Sequence, residues 1–149
     1  MYRASAVALI ASALLLLAGC KQEQGSAEKA ITPSPGKSAV VAERVEGTSP
    51  YKVMLTLDPA QPVSQKPVTF RFTVTDLADK PATGLDATVA LVMPIMDMGK
   101  NEFVAKETSP GVYEGGGAFG MDDEWEVFLT LKKGKQPPAK HVFNVRVAE

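Results

Sequence analysis

From Tyr51 onward the chain alternates apolar and polar residues. Val53, Leu55 and Leu57 alternate with Lys52, Met54 and Thr56. After Asp58-Pro59 and Gln61-Pro62 comes the clearest such run: Val68, Phe70, Phe72 and Val74 share one face, and Thr69, Arg71, Thr73 and Thr75 share the other. Successive side chains of a strand point to opposite sides of the sheet, so a period of two predicts strands with one buried face. Residues 85–92 predict a third strand, more apolar on both faces. Residues 103–107 and 112–114 predict a fourth and a fifth, separated by the turn Ser109-Pro110-Gly111. Trp125, Val127, Leu129 and Leu131 define a sixth; His141, Phe143, Val145 and Val147 define the buried face of a seventh. Seven short strands broken by Pro/Gly turns, with no helical period, predict an all-β fold: an immunoglobulin-like β-sandwich of about seven antiparallel strands. The triplet Gly115-Gly116-Gly117 is unusual for a strand and predicts either a bulge or a close approach of another backbone.

The first 49 residues follow other rules. Arg3 precedes the uncharged apolar run Ala4–Leu17, which ends in Leu17-Ala18-Gly19-Cys20. A positive start, a short apolar stretch and small residues before a cut are the layout of a secretory signal. The apolar run has 14 residues, short of the roughly 20 a helix needs to cross a bilayer. Its end resembles the bacterial lipobox, which implies cleavage before Cys20 and lipid attachment to its thiol. Cys20 is the only cysteine, so no intramolecular disulfide is expected. Residues 1–19 are therefore expected to be a lipoprotein signal peptide. Residues 20–49, polar and carrying Thr32-Pro33-Ser34-Pro35-Gly36, are expected to be a lipidated flexible tether. Within it, Val40 and Val41 are candidates for a short strand. Residues 50–149 form the sandwich. The expected location is the periplasmic side of the cell envelope, with the membrane as partner through the lipid. Lys21 after the lipid cysteine favours the outer membrane.

Charge and composition exclude several functions. Beyond residue 19 the chain has 15 basic residues (16 less Arg3) against 17 acidic ones. With no basic patch, nucleic acid is not an expected partner. One histidine and no cysteine beyond Cys20 leave histidine–cysteine nucleophile schemes without parts. No glycine-rich phosphate loop occurs. No catalytic residues are assigned, and the chain is expected not to be an enzyme.

Methionine is the residue that stands out. Met93, Met96 and Met98 lie within Met93-Pro94-Ile95-Met96-Asp97-Met98-Gly99, and Met121 precedes Asp122-Asp123-Glu124. Both segments connect predicted strands. If consecutive strands are antiparallel, the two connections fall at one end of the sandwich and the four sulfurs can converge. Thioether sulfur is a soft, neutral ligand that selects Cu(I) over hard cations. Methionine also fills irregular gaps in cores, so a plug for the open end of the sandwich and an apolar docking patch are competing readings. His141 begins the last strand and is expected at the opposite end, at the edge of the core. The run Asp122–Glu124 reads as a solvated turn.

The span from Tyr51 to Val147 resembles the YtkA-like domain, related to FixH family proteins. The cues are Asp58-Pro59 with Pro62, the strand ending at Asp76, the Met93-Pro94-x-Met96-x-Met98-Gly99 segment, Pro110-Gly111-Val112-Tyr113, and Met121 before Trp125. The resemblance implies an immunoglobulin-like sandwich outside the cytoplasm and an association with copper efflux or oxidase-assembly proteins. Relatives often carry a histidine beside the methionine motif, where this chain has Asp97 and Gly99. The expected ligand is therefore Cu(I), held by Met93, Met96, Met98 and Met121. The alternative is a metal-free β-sandwich module that docks on an envelope protein.

Overall fold

The computed structural model describes residues 40–149 apart from 42, 98 and 100. These residues belong to a compact unit spanning Thr32–Glu149. The expected signal peptide, Cys20 and most of the expected tether lie outside the described residues.

All seven expected strands are present: β3 (Tyr51–Asp58), β4 (Pro67–Asp76), β5 (Asp86–Val92), β6 (Glu102–Ser109), β7 (Val112–Ala118), β8 (Asp123–Lys132) and β9 (Ala139–Val147). Two short strands precede them, β1 (Val40–Val41) and β2 (Glu43–Glu46). The described fold thus already includes strands before residue 50. Val40 and Val41 pair with Thr56 and Leu55, and Glu43–Glu46 pair along β9. An unpaired strand edge exposes a row of backbone donors and acceptors, and these two short strands cover two of them. Alternation alone could not reveal this, because all four side chains of β2 are exposed.

The strand order is β1-β3-β4-β7-β6-β5-β8-β9-β2, with every pairing between these strands antiparallel. β6 belongs to both layers of the sandwich. Its first half, Glu102–Ala105, pairs with Ala90–Ala87 of β5. Its second half pairs with Glu114–Val112 of β7, through a register shift between Glu107 and Ser109. On the other flank the chain crosses between the same layers, since Val41 pairs with β3 and Glu43 with β9. Both flanks of the sandwich are therefore bridged.

The inner faces are those the alternation predicts. Val53, Leu55, Leu57, Val68, Phe70, Phe72, Val74, Trp125, Val127, Leu129 and Leu131 are all buried. β5 is less apolar outside than expected: Ala87, Val89 and Leu91 are buried, whereas Asp86, Thr88 and Val92 are exposed.

The glycine triplet serves the corner made by β6. It pairs with Phe70, Thr69 and Val68 without a register break, so it is not a bulge. A Cβ at Gly115 would sit 2.6 Å from the ring of Phe103, and one at Gly117 would sit 3.0 Å from it; at Gly116 there is open space. The closest approach is that of the Phe103 ring, and the Ala105 backbone Cα follows at 3.4 Å from a Cβ at Gly115. Phe103 packs at 5.1 Å between centroids on Phe70 and closes the inner layer where β6 changes sheets.

Candidate functional site

Strand pairing settles which loops share an end. Val92 at the end of β5 pairs with Glu126 near the start of β8. The β5–β6 connection (93–101) and the β7–β8 connection (119–122) therefore meet at one end. Asn101 Nδ2 donates to the Ala118 carbonyl at 3.2 Å, which ties the two together. The β3–β4 connection joins them: the Gln65 N–H donates to the Phe119 carbonyl at 2.7 Å, and the Ser64 N–H to that of Ala148 at 2.9 Å.

The methionines at this end differ in what they touch. Met93 pairs with Met96 in an isolated antiparallel bridge, closed by the Met96 N–H donating to the Met93 carbonyl at 3.3 Å. The Met93 side chain is only 4% exposed and belongs to the core. Met96 is 50% exposed and Met121 is 41% exposed. Met98 lies outside the described residues. An open hollow of about 390 Å³ runs along residues 91–97 and Gly99, with Met93, Ile95 and Met96 among its walls. Met121 is not one of its walls. Its backbone is fixed from β8: the Met121 carbonyl accepts the Trp125 indole N–H at 3.1 Å. Trp125 in turn meets Phe119 edge-on at 5.5 Å. An aromatic floor thus supports the loop that presents Met121.

Three acidic residues here have local partners. Asp97 Oδ1 accepts the Gly99 N–H at 2.9 Å, and Asp123 Oδ1 accepts the Glu124 N–H at 2.8 Å. Arg146 Nη1 lies 3.6 Å from Asp123 and 3.7 Å from Glu124. Among the described residues there is no group of three or more His, Cys, Asp or Glu that could hold a metal ion. Met96 and Met121 present half-exposed thioethers at this end.

His141 lies at the other end, near the start of β9. It is fully buried. Nδ1 meets Oε1 of Glu43 on β2, and Nε2 meets Ser49 Oγ at 2.8 Å. Ser49 Oγ also accepts the Tyr51 N–H at 3.1 Å. This polar cluster links β2, the β2–β3 turn and β9 across the bridged flank. Sequence reading places His141 correctly at the edge of the core but gives it no partners. Glu43 is 98 residues away in the chain, in a stretch with no buried face to mark it. Both ring nitrogens are occupied, and among the described residues no buried side-chain nitrogen or oxygen lacks a hydrogen-bond partner.

Tyr113 is the other buried polar anchor. Its hydroxyl donates to the Ala82 carbonyl at 2.9 Å and accepts the Leu85 N–H at 3.2 Å. It thereby pins the β4–β5 connection to β7. Burial pushes the phenol above its ordinary value, against an opposing contribution from the Leu85 hydrogen bond.

Comparison with known proteins adds a family. Residues 45–130, more than half of the chain, match the family model described as YtkA-like. No curated protein matches. Among solved structures, the chain is similar to the soluble domain of PmoD from Methylocystis sp. ATCC 49242. The two share 13% identity and a TM-score of 0.44, over 70% of this chain and 96% of that one.

Proposed function

The chain belongs to the YtkA-like family, and on that footing we propose that it is a non-enzymatic envelope lipoprotein that binds or relays Cu(I). The ion is cargo. Met96 and Met121 supply exposed thioethers, with Met98 as a third ligand two residues on from Met96. Met93 serves the core and fixes the loop from beneath. The observation that carries this reading is the meeting of both methionine-bearing connections at one end, with Met96 and Met121 half-exposed there.

Soft ligands, the lack of a carboxylate or imidazole cluster among the described residues, and exposure to solvent all favour a monovalent soft ion that is exchanged rather than stored. The lipid on Cys20 holds the module at a membrane on the periplasmic side. Burying each acyl CH₂ is worth ~0.8 kcal/mol, so two or three chains anchor it firmly. Its exchange partners would be copper efflux or oxidase-assembly proteins.

The test is a Cu(I) titration of residues 21–149 against a competing chelator. Replacing both Met96 and Met121 by leucine should weaken binding at least tenfold. Unchanged binding overturns the reading. A second reading, a metal-free module docking on an envelope protein, draws on the 75% exposure of Ile95 beside these methionines. A partner captured equally well with and without copper would favour it.

A further inference from the structure

We infer that the methionine end is the membrane-facing end of the domain, and that its loop tip at Ile95 rests in the interfacial layer of a zwitterionic bilayer. This rests on the lipid-anchor reading of Cys20 given above.

The first argument is strand direction. β3 runs from the His141 end, at Tyr51, to the methionine end, at Asp58. β1 is antiparallel to it, with Val40 opposite Thr56 and Val41 opposite Leu55. Followed backwards, β1 therefore points at Val40 toward the methionine end. Thr56 is two residues short of the end of β3, about 7 Å at strand rise. The anchored cysteine is 20 residues before Val40, at most about 70 Å of chain. Turning the opposite end to the bilayer would send that chain back along the sandwich, whose longest strands have 10 residues and span about 33 Å.

The second argument is what the two ends expose. Four of the large apolar side chains left exposed lie at the methionine end: Val92, Ile95, Met96 and Met121. Ile95 is 75% exposed at the loop tip, next to Pro94 and Met96. A cluster of this kind gains by leaving water for the headgroup–acyl boundary. At the other end Leu77 and Val45 are exposed, but the β8–β9 connection there carries Lys133 and Lys135.

The third argument selects the lipid. The two methionine-bearing connections carry one lysine, Lys100, against the acidic Asp97 and Asp122. An anionic surface would repel them and attract the lysines of the opposite end instead. The tip therefore suits a zwitterionic surface.

Two exposed loop positions at opposite ends make the test. Ile95→Cys and Leu77→Cys variants of the full lipidated chain are labelled with a fluorophore and placed in phosphatidylcholine vesicles containing interfacial spin-labelled lipid. The Cys20 thiol is alkylated and does not compete for the label. Position 95 should be quenched several-fold more than position 77, and anionic lipid should narrow the difference. Equal quenching, or stronger quenching at position 77, overturns the proposal. So does quenching at neither position in vesicles with protection of position 95 in native membranes, which would assign the tip to a protein partner. The mass of the N-terminal peptide separates the two failures. An unlipidated chain overturns the anchor reading and this proposal with it; a lipidated chain without the asymmetry overturns this proposal alone.

Discussion

The ring of Phe103 fills the space that a side chain at Gly115 would take, leaving 2.6 Å to a Cβ placed there. Phe103 comes from the half of β6 that pairs with β5. Gly115 lies in β7 of the other layer, opposite Phe70. The contact is thus the inside of the corner at which one strand passes between two sheets. Gly115→Ala must displace the ring or the strand and should cost about 1–3 kcal/mol, the usual range for overpacking. Gly116→Ala faces open space and should fall within about 0.5 kcal/mol of the parent. Chemical denaturation of the two variants side by side checks this, and equal stabilities would refute the corner argument.

Tyr113→Phe should destabilise by about 1–3 kcal/mol, because the Ala82 carbonyl and the Leu85 N–H each lose a buried partner. The tyrosine also predicts a pH dependence. Its folded-state pKa is raised, so the folded state holds the phenol proton more tightly than the unfolded state does. That stability is fully present below the ordinary phenol value of about 10 and is lost as pH rises through the folded value. Stability should decline above about pH 10, and less steeply in Tyr113→Phe. Denaturation midpoints between neutral and strongly alkaline pH measure the difference.

Ser49→Ala removes the group that faces His141 Nε2 and accepts the Tyr51 N–H. A loss of about 1–3 kcal/mol is expected from the partners left unsatisfied. Cu(I) binding should not change, since this cluster lies at the end of the sandwich away from the methionines. Weakened Cu(I) binding in a folded Ser49→Ala protein would contradict that separation.

Met93→Leu separates packing from ligation. Met93 is buried and conserves volume on replacement, so the change should cost less than about 1.5 kcal/mol. It should leave Cu(I) affinity intact if Met93 acts only in the core. A tenfold loss of affinity at unchanged stability would restore Met93 to the ligand set.

A polypeptide beginning at residue 50 loses β1, β2 and the Glu43 partner of His141. It should be less stable than one beginning near residue 36 and more prone to associate through the uncovered edge of β9. Thermal melts and sedimentation compare the two.

The local pattern determined much of this protein. Period-two alternation located seven strands and their inner faces, since burial of one face requires that alternation. Antiparallel succession placed both methionine-bearing connections at one end. It also placed His141 at the other end, on the inner face shared with Phe143. Tertiary structure decided the rest. β2 carries four exposed residues, so nothing in its own sequence marks it as a strand; the open edge of β9 makes it one. The glycine triplet reads alike as bulge or close contact until Phe103 is seen lying over it. Met93 and Met96 have the same chemistry three residues apart, yet one faces the core and the other solvent, because the Met93–Met96 bridge turns the chain between them. Residue type told which groups could bind a soft ion. Only packing decided which of the described ones are free to do so.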